Sequence, residues 1–248
     1  MSDLTNLGVY GKIPAHGDFV HQNLPRHFLD RWDHWMQQSV LASQDSLGEA
    51  WLGLFLISPV WRFALPRNVI DDQVWAGIIL PSVDKVGRYY PLTLVSPLPA
   101  SVGVCELMSK AKSWFASLED AAITVLEQGL DIDGLINELQ TSLVTPELDH
   151  IHVDDLNPQH RLQHVIPLSP FTQCSTENSI QGVMPQLCDA LIRTQSVDFS
   201  VWWTEGGEHV ESAMLLADKL PRPTSYAAML NGQWQNWHWP CLLHSREL

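Results

Sequence analysis

The chain has 248 residues, of which 45% are hydrophobic, so it is long enough to bury a large core. Lys and Arg number 14 against 28 Asp and Glu, and the resulting net charge of −14 disfavours nucleic acid as a partner. The longest apolar run, residues 52–57, is far below the roughly 20 residues that a membrane-spanning helix needs. We therefore expect a soluble globular protein that does not insert into membranes.

The N-terminal residues and the cysteines indicate the cellular compartment and the redox state. The first six residues lack the basic start and the apolar stretch of a secretory signal, which predicts a cytoplasmic protein. Four cysteines are widely spaced without a CxxC pair, which favours reduced thiols over disulfides or a zinc site. They are Cys105, Cys174, Cys188 and Cys241.

Apolar patterns in the first hundred residues predict one helix among several strands. Residues 6–10 form a first strand, and a helix follows over about 23–40, where Phe28, Trp32, Trp35 and Met36 recur at helical spacing. Further strands are predicted over 52–57, 61–65, 75–80 and 90–95. The alternation in 61–65 indicates one face in water, whereas 52–57 and 75–80 are apolar throughout and indicate strands covered on both faces.

The rest of the chain adds helices and closing strands. We predict helices over 106–127, 132–143 and 181–193, strands over 197–204 and 213–217, and an irregular connection over 145–179 with one strand at 164–168. These elements predict a single α/β domain over residues 1–248, with residues 1–100 as one half and residues 101–248 as additions. The expected architecture is a mixed β-sheet with helices packed on both faces, a layered sandwich.

Enzyme motifs are sparse. The chain contains no GxGxxG, GxxxxGK[ST], GxSxG or HExxH, the motifs of a phosphate cradle, a nucleophile elbow or a zinc helix. Ser82, Asp84 and His16 supply the residue types of a hydrolytic triad, but Ser82 follows Pro81 with no small-residue elbow to expose its hydroxyl. A hydrolase remains an alternative interpretation with little support in the motifs.

Metal binding has a similarly thin basis. His150 and His152 would share one face of a strand, close to Asp154 and Asp155, but no third ligand is recognisable. His160 and His164 are spaced for one helical face, although prolines crowd both ends of that segment. Both sets are more typical of solvated polar segments, so we expect no metal site.

Two loops carry the most suggestive charges. Residues 11–20 and 81–92 interleave Gly and Pro with charged side chains between apolar stretches, a composition that fixes one backbone path and often serves function. If the flanking strands are neighbours, five charges meet in one cluster: Lys12, Asp18, Asp84, Lys85 and Arg88. One interpretation is an ion-pair network that locks the loops together. The other is a recognition surface, where Lys12 or Arg88 binds a carboxylate or phosphate.

Four blocks of sequence resemble the TagF family of type VI secretion accessory proteins, in the family's order. They are residues 9–20 (VYGKIPAHGDFV), 32–35 (WDHW), 58–63 (SPVWRF) and 81–88 (PSVDKVGR). Residues 200–206 (SVWWTEG) resemble a further block near the C-terminus. The resemblance covers roughly the first hundred residues and this later segment.

The resemblance implies a compact α/β layered domain and a cytoplasmic regulator without catalysis or cofactor. It also implies a post-translational repressor of type VI secretion that acts through the forkhead-associated scaffold protein of that system. The family supplies no catalytic residues, so the matched positions are candidates for a binding surface or pocket: Lys12, His16, Asp18, Ser82, Asp84 and Arg88. A hydrolase, or a sensor that holds a small anionic ligand with Lys12 and Arg88, stays open as an alternative, and the sequence gives no oligomeric state.

Overall fold

The computed structural model describes residues 7–144, 148, 180–194 and 198–241. In this part of the chain the strands are β1 (Gly8–Gly11), β2 (Val20–Gln22), β3 (Trp61–Leu65), β4 (Val74–Leu80), β5 (Leu92–Leu98), β6 (Phe199–Thr204) and β7 (Ala213–Asp218). The α-helices are α1 (Arg26–Leu47), α2 (Trp51–Leu56), α3 (Val104–Lys110), α4 (Lys112–Gln128), α5 (Ile132–Ser142), α6 (Ile180–Thr194) and α7 (Tyr226–Asn231).

All seven strands lie in one sheet, in the order β2-β1-β5-β4-β3-β6-β7. Strands from the early and late parts of the chain meet where β3 pairs with β6, with Arg62 opposite Trp203. The expected α/β class is confirmed, and every described pairing is antiparallel where we expected a mixed sheet. Short connections explain this for β3, β4 and β5, because a short link can join only antiparallel neighbours.

An aromatic layer covers one face of the sheet. Helices α1, α2 and α7 pack here, and the indole of Trp32 on α1 lies 4.8 Å from the ring of Phe63 and 6.1 Å from that of Trp202. The Trp32 indole N–H donates to the Thr93 hydroxyl at 3.0 Å, which satisfies a polar group at the centre of an apolar layer. The predicted aromatic stripe of α1 is therefore core.

The opposite face is covered by α4 and α5 together with α3. Trp114, Phe115 and Leu118 of α4 are fully buried against Ile78 and Leu94 of the sheet. The two apolar layers on either side of the sheet confirm the predicted helices on both faces, because alternate residues of each inner strand enter alternate layers.

Helix α6 is attached to this second layer through one buried carboxylate. Asp189 accepts hydrogen bonds from the backbone N–H of Cys105 at 2.9 Å and of Glu106 at 3.2 Å, and so caps the first turn of α3. Burial, together with the Asp189 carboxylate, raises the pKa of the Cys105 thiol to about 12. Cys105 and Cys188 are half-buried thiols, Cys241 is exposed, and Cys174 lies outside the described residues.

One predicted element and one predicted burial pattern are wrong. Residues 52–56 lie in helix α2 instead of a strand, because Trp51 and Phe55 enter the core one helical turn apart while Leu52 and Leu56 face water. A short apolar run of this kind fits either element. The predicted wet face of residues 61–65 is also wrong, because both faces of β3 are covered.

The remaining predictions differ from the structure mainly at element ends. The helix expected over 106–127 is two helices that meet at Ala111, where the backbone leaves helical geometry without a Gly or Pro to announce it. The helices expected at 132–143 and 181–193 are confirmed as α5 and α6, and the closing strands as β6 and β7. Strand β2 was not predicted. The strand expected at 164–168 lies outside the described residues.

Candidate functional site

The two charged loops leave the sheet at the same edge. Strands β1 and β4 both pair antiparallel with β5, so they run in the same direction and their C-terminal ends point the same way. The loop after β1 and the loop after β4 therefore meet, and hydrogen bonds to backbone carbonyls join them. The Lys85 N–H donates to the His16 carbonyl at 2.9 Å, and the Ser82 hydroxyl donates to the Lys12 carbonyl at 2.6 Å.

Asp84 is the centre of the cluster. The Lys12 ammonium and the Arg88 Nε each donate to its Oδ2 at 2.7 Å. Its Oδ1 accepts from the backbone N–H of Val86 at 3.0 Å and of Arg88 at 2.8 Å. The side chains of Lys12 and Asp84 are both buried. Four donor groups thus surround one carboxylate, so three of the five charges predicted to meet, Lys12, Asp84 and Arg88, form an internal ion-pair network.

The protonation states of Asp84 and Arg88 follow from this geometry. Burial alone would raise the pKa of Asp84, but the hydrogen bonds from Lys12 and Arg88 outweigh it and hold the pKa well below the usual range. The hydrogen bond to Asp84 in turn raises the pKa of Arg88. Asp84 and Arg88 therefore both stay charged across the physiological range.

The outer side of the cluster reaches solvent. The Arg88 side chain is 55% exposed, donates to the Gly17 carbonyl, and lies 3.6 Å from the fully exposed carboxylate of Asp18. Val86, at the tip of the second loop, is 68% exposed. We name the exposed residues of the two loops the loop surface: Asp18, Phe19, Lys85, Val86 and Arg88.

An aromatic cluster supports this surface from beneath. The Phe19 ring stacks on Tyr10 with 5.8 Å between ring centres, and it meets Tyr90 edge-on at 4.7 Å. The Lys12 ammonium lies 5.1 Å from the centre of the Phe19 ring. Both tyrosine hydroxyls donate to one oxygen of Asp33 on α1, Tyr90 at 3.2 Å. Burial raises the pKa of both phenols, and Asp33 adds to the effect, so they stay protonated donors.

Asp33 is a site residue that the sequence analysis missed. It lies in the WDHW block quoted for the family resemblance, which was the available signal, but a single Asp on a helix is normally a solvated residue. Here it ties α1 to β1 and to the second loop. The loop surface is consequently anchored to the sheet, to α1 and to Asp84.

The residue types of a hydrolytic triad do not form one. The Ser82 hydroxyl is bonded to the Lys12 carbonyl, and the Asp84 carboxylate is bonded to Lys12 and Arg88. The His16 Nε2 is buried without a hydrogen-bond partner. All six predicted site residues lie in or beside the two loops, but Lys12, Ser82 and Asp84 face inward.

A second ionic cluster, also missed, joins two of the blocks that carried the resemblance. Arg62 on β3 makes a bidentate contact with Glu119 on α4, at 2.6 and 3.1 Å, and donates to Glu205 at 2.9 Å. Burial lowers the pKa of Arg62, but the two carboxylates outweigh it and raise the value overall. Because β3 and β6 are neighbours, SPVWRF and SVWWTEG lie side by side in the sheet.

Metal and membrane features are absent from the part of the chain that the structure describes. Among residues 7–144, 148, 180–194 and 198–241, no group of three His, Cys, Asp or Glu is arranged to hold a metal ion. The pairs at His150 and His152, with Asp154 and Asp155, and at His160 and His164 lie outside these residues. None of the described helices combines the length and apolar character needed to span a bilayer.

Comparison with known proteins adds to this geometry. The crystal structure of PA0076 from Pseudomonas aeruginosa PAO1 is similar over 92% of this chain and 94% of that one, with a TM-score of 0.71 and 27% sequence identity. No curated protein sequence matches. The family described as the TagF N-terminal domain, type VI secretion system-associated, matches residues 8–142, which include both loops, α1 and β3. Because that match covers more than half of the chain, the protein belongs to the TagF family and is associated with type VI secretion.

Proposed function

We propose that this protein is a cytoplasmic, non-enzymatic regulator that represses type VI secretion after translation by binding the forkhead-associated scaffold protein of the apparatus. Membership of a secretion-associated family supports the setting. The observation that carries the proposal is the loop surface, where charged and apolar side chains project from a backbone that buried Asp84 holds in place.

Rigidity of this kind suits recognition. Ordering a loop on binding costs conformational entropy, so a surface that is already fixed binds a partner at a lower cost. Asp18 and Arg88 supply opposite charges close together, and Val86 and Phe19 supply exposed apolar area on the same two loops. A mixed surface with one arginine and one aromatic residue is typical of protein interfaces.

Catalysis has less support at this site. Groups that would act as nucleophile or base are already engaged, since Ser82 donates to a carbonyl and Asp84 is bonded to two cations. Lys12 and Arg88 are likewise committed to Asp84, which weakens the case for a small anionic ligand held between them. A thermal-shift screen with nucleotides and phosphates tests that alternative, because a ligand that binds the folded state raises Tm.

Direct binding to the purified scaffold protein tests the proposal. We expect the unmodified chain to bind in calorimetry, and Val86→Glu and Arg88→Glu each to lose at least about tenfold in affinity. Ile123→Glu is the matched control, because Ile123 is an exposed apolar residue on α4, away from the two loops. Absence of binding by the folded unmodified chain contradicts the proposal.

A cellular measurement separates repression from binding. Overproduction of the unmodified chain should lower the amount of secreted substrate, and the loop variants should lose this effect at equal protein level. Equal repression by Val86→Glu would show that the loop surface is not the contact.

A further inference from the structure

Strand β7 is a six-residue edge strand whose one charged residue, Asp218, stands at its end. It is the last strand of the sheet, and among residues 7–144, 148, 180–194 and 198–241 no strand pairs with its outer side. Its six residues, AMLLAD, carry no charge before Asp218. Edge strands are normally protected by shortness, charge or proline. The opposite edge, β2, has only three residues, so β7 is the less protected of the two edges among the strands that the structure describes.

Backbone groups on β7 can be assigned to its inner or outer side. The Lys219 N–H donates to the Asp198 carbonyl, and this bond extends the β6–β7 ladder by one pair. In an antiparallel ladder, residues whose N–H and C=O point to the neighbour alternate with residues whose groups point away. Residues 213, 215 and 217 therefore bond to β6, while Met214, Leu216 and Asp218 present their N–H and C=O outward.

The same outward-bonding residues carry exposed apolar side chains. Met214 is 57% exposed and Leu216 is 50% exposed, whereas Leu215 between them is buried. Two large apolar side chains thus stand on one face of the edge, beside a row of backbone groups that pair with no strand in the described part of the chain. This combination is suited to the addition of another strand.

We propose that β7 pairs with β7 of a second copy of this chain, antiparallel, about a two-fold axis at Leu215. Outward residues must face outward residues, and this register places Met214 opposite Leu216 of the second copy and Ser212 opposite Asp218. Each facing pair of this type exchanges two backbone hydrogen bonds. The seven-stranded sheet becomes one continuous sheet across the dimer.

Charge complementarity selects this register and a self-partner. Glu211 and Lys219, at the two ends of β7, are both exposed. With the axis at Leu215, Glu211 of each copy faces Lys219 of the other, so both ends of the contact carry an opposite-charge pair. A slip of two residues either way places Glu211 opposite Ala217 or Pro221 instead. An unrelated strand need not satisfy either end.

Mass measurement is the first test. Sedimentation or light scattering of the full chain, at physiological salt to screen the net charge of −14, should give a mass that rises with concentration from 28.0 kDa toward twice that value. A monomer at every concentration up to the high micromolar range overturns the proposal. The proposal is also overturned if the chain stays monomeric and its β7 edge binds only an extended peptide of a different protein.

Leu216→Pro tests the outward N–H. Proline removes a donor that the β6–β7 ladder does not use, so circular dichroism should report a folded protein and the mass should stay at that of the monomer. Leu216→Val keeps the backbone donor and an apolar side chain with good strand propensity, so it is the matched control and should still dimerise. Dimerisation that persists in a folded Leu216→Pro protein overturns the proposal.

Charge reversal tests the register without touching the strand. Glu211→Lys or Lys219→Glu alone should weaken the dimer by several-fold, because like charges then face each other at both ends. The double variant restores opposite charges and should recover dimerisation. If the double variant is no tighter than the single variants, another register or surface is responsible, and the proposal fails.

Discussion

Lys12 and Asp84 form a buried ion pair at 2.7 Å although 72 positions separate them in the chain. The pair holds the loop after β1 against the loop after β4, and Arg88 completes it from the solvent side. Because Asp84 also binds two backbone N–H groups of its own loop, one carboxylate determines the path of both loops.

Lys12→Met should destabilise the protein by about 1–3 kcal/mol, because it removes one charged donor from a buried carboxylate while Arg88 remains. Urea denaturation measures the change. Lys85→Met is the matched control: its side chain is exposed on the same loop surface, so the change should stay within about 0.5 kcal/mol. Equal losses for the two variants would contradict a special role for Lys12.

Asp84 should stabilise the protein in a pH-dependent way. Its folded-state pKa is lowered, so its contribution is complete above the ordinary Asp pKa of about 3.9 and is lost as the pH falls toward the lower folded value. The stability difference between the unmodified chain and Asp84→Asn should be constant from neutral pH to mildly acidic pH and should narrow in stronger acid. Denaturant titrations at a series of pH values measure it, and a difference that already narrows near neutral pH would contradict the assignment.

Arg62 offers two carboxylate partners of different burial. Glu119→Gln should cost about 2 kcal/mol, because it weakens a bidentate pair at a buried guanidinium that retains Glu205. Glu205→Gln should cost no more than about 1 kcal/mol, since that carboxylate is mostly exposed. Thermal or urea unfolding of both variants gives the comparison, and the reverse order of losses would show that Glu205 is the principal partner.

Gly11 and Gly53 should respond oppositely to alanine. Gly11 has a φ of 135°, and an added Cβ would lie 2.1 Å from the Pro91 carbonyl oxygen, so Gly11→Ala should cost at least about 2 kcal/mol. Gly53 lies in α2 with nothing within 4 Å of an added Cβ, so Gly53→Ala should stabilise by about 0.5–1 kcal/mol. Urea denaturation of the pair checks the sign of each effect.

Much of the fold could be predicted from periodicity. The aromatic stripe of α1, the fully apolar β4 and the regular pattern of α5 each have a burial pattern that sequence alone displays. The strand predicted over residues 52–57 was wrong because a run of six apolar residues is too short to show a helical or strand period. The helix break at Ala111 was not predicted because no helix-ending residue stands there. The single-domain organisation stays a prediction.

The candidate site was predictable in part. Turn-forming residues around Lys12 and Asp84 indicated two specific loops. The expectation that their flanking strands are neighbours was wrong, because β5 lies between β1 and β4, but both strands pair with β5 in the same direction and the two loops still meet. The roles of Asp33 and Arg62 were not accessible, because each depends on partners brought in by α1, α4 and β6 from distant parts of the chain. The use of the loop surface in binding stays a prediction.

The pairing of β3 with β6 limits what can be excised from this protein. Trp202 of β6 fills the hollow among Trp32, Trp35 and Phe63, and β6 covers the outer flank of β3. In a fragment cut after residue 142, where the family match ends, β6 would be missing. The aromatic side chains that Trp202 covers would then be exposed to water, and β3 would become an edge strand. The segment that identifies the family therefore relies on strands from beyond its own boundary.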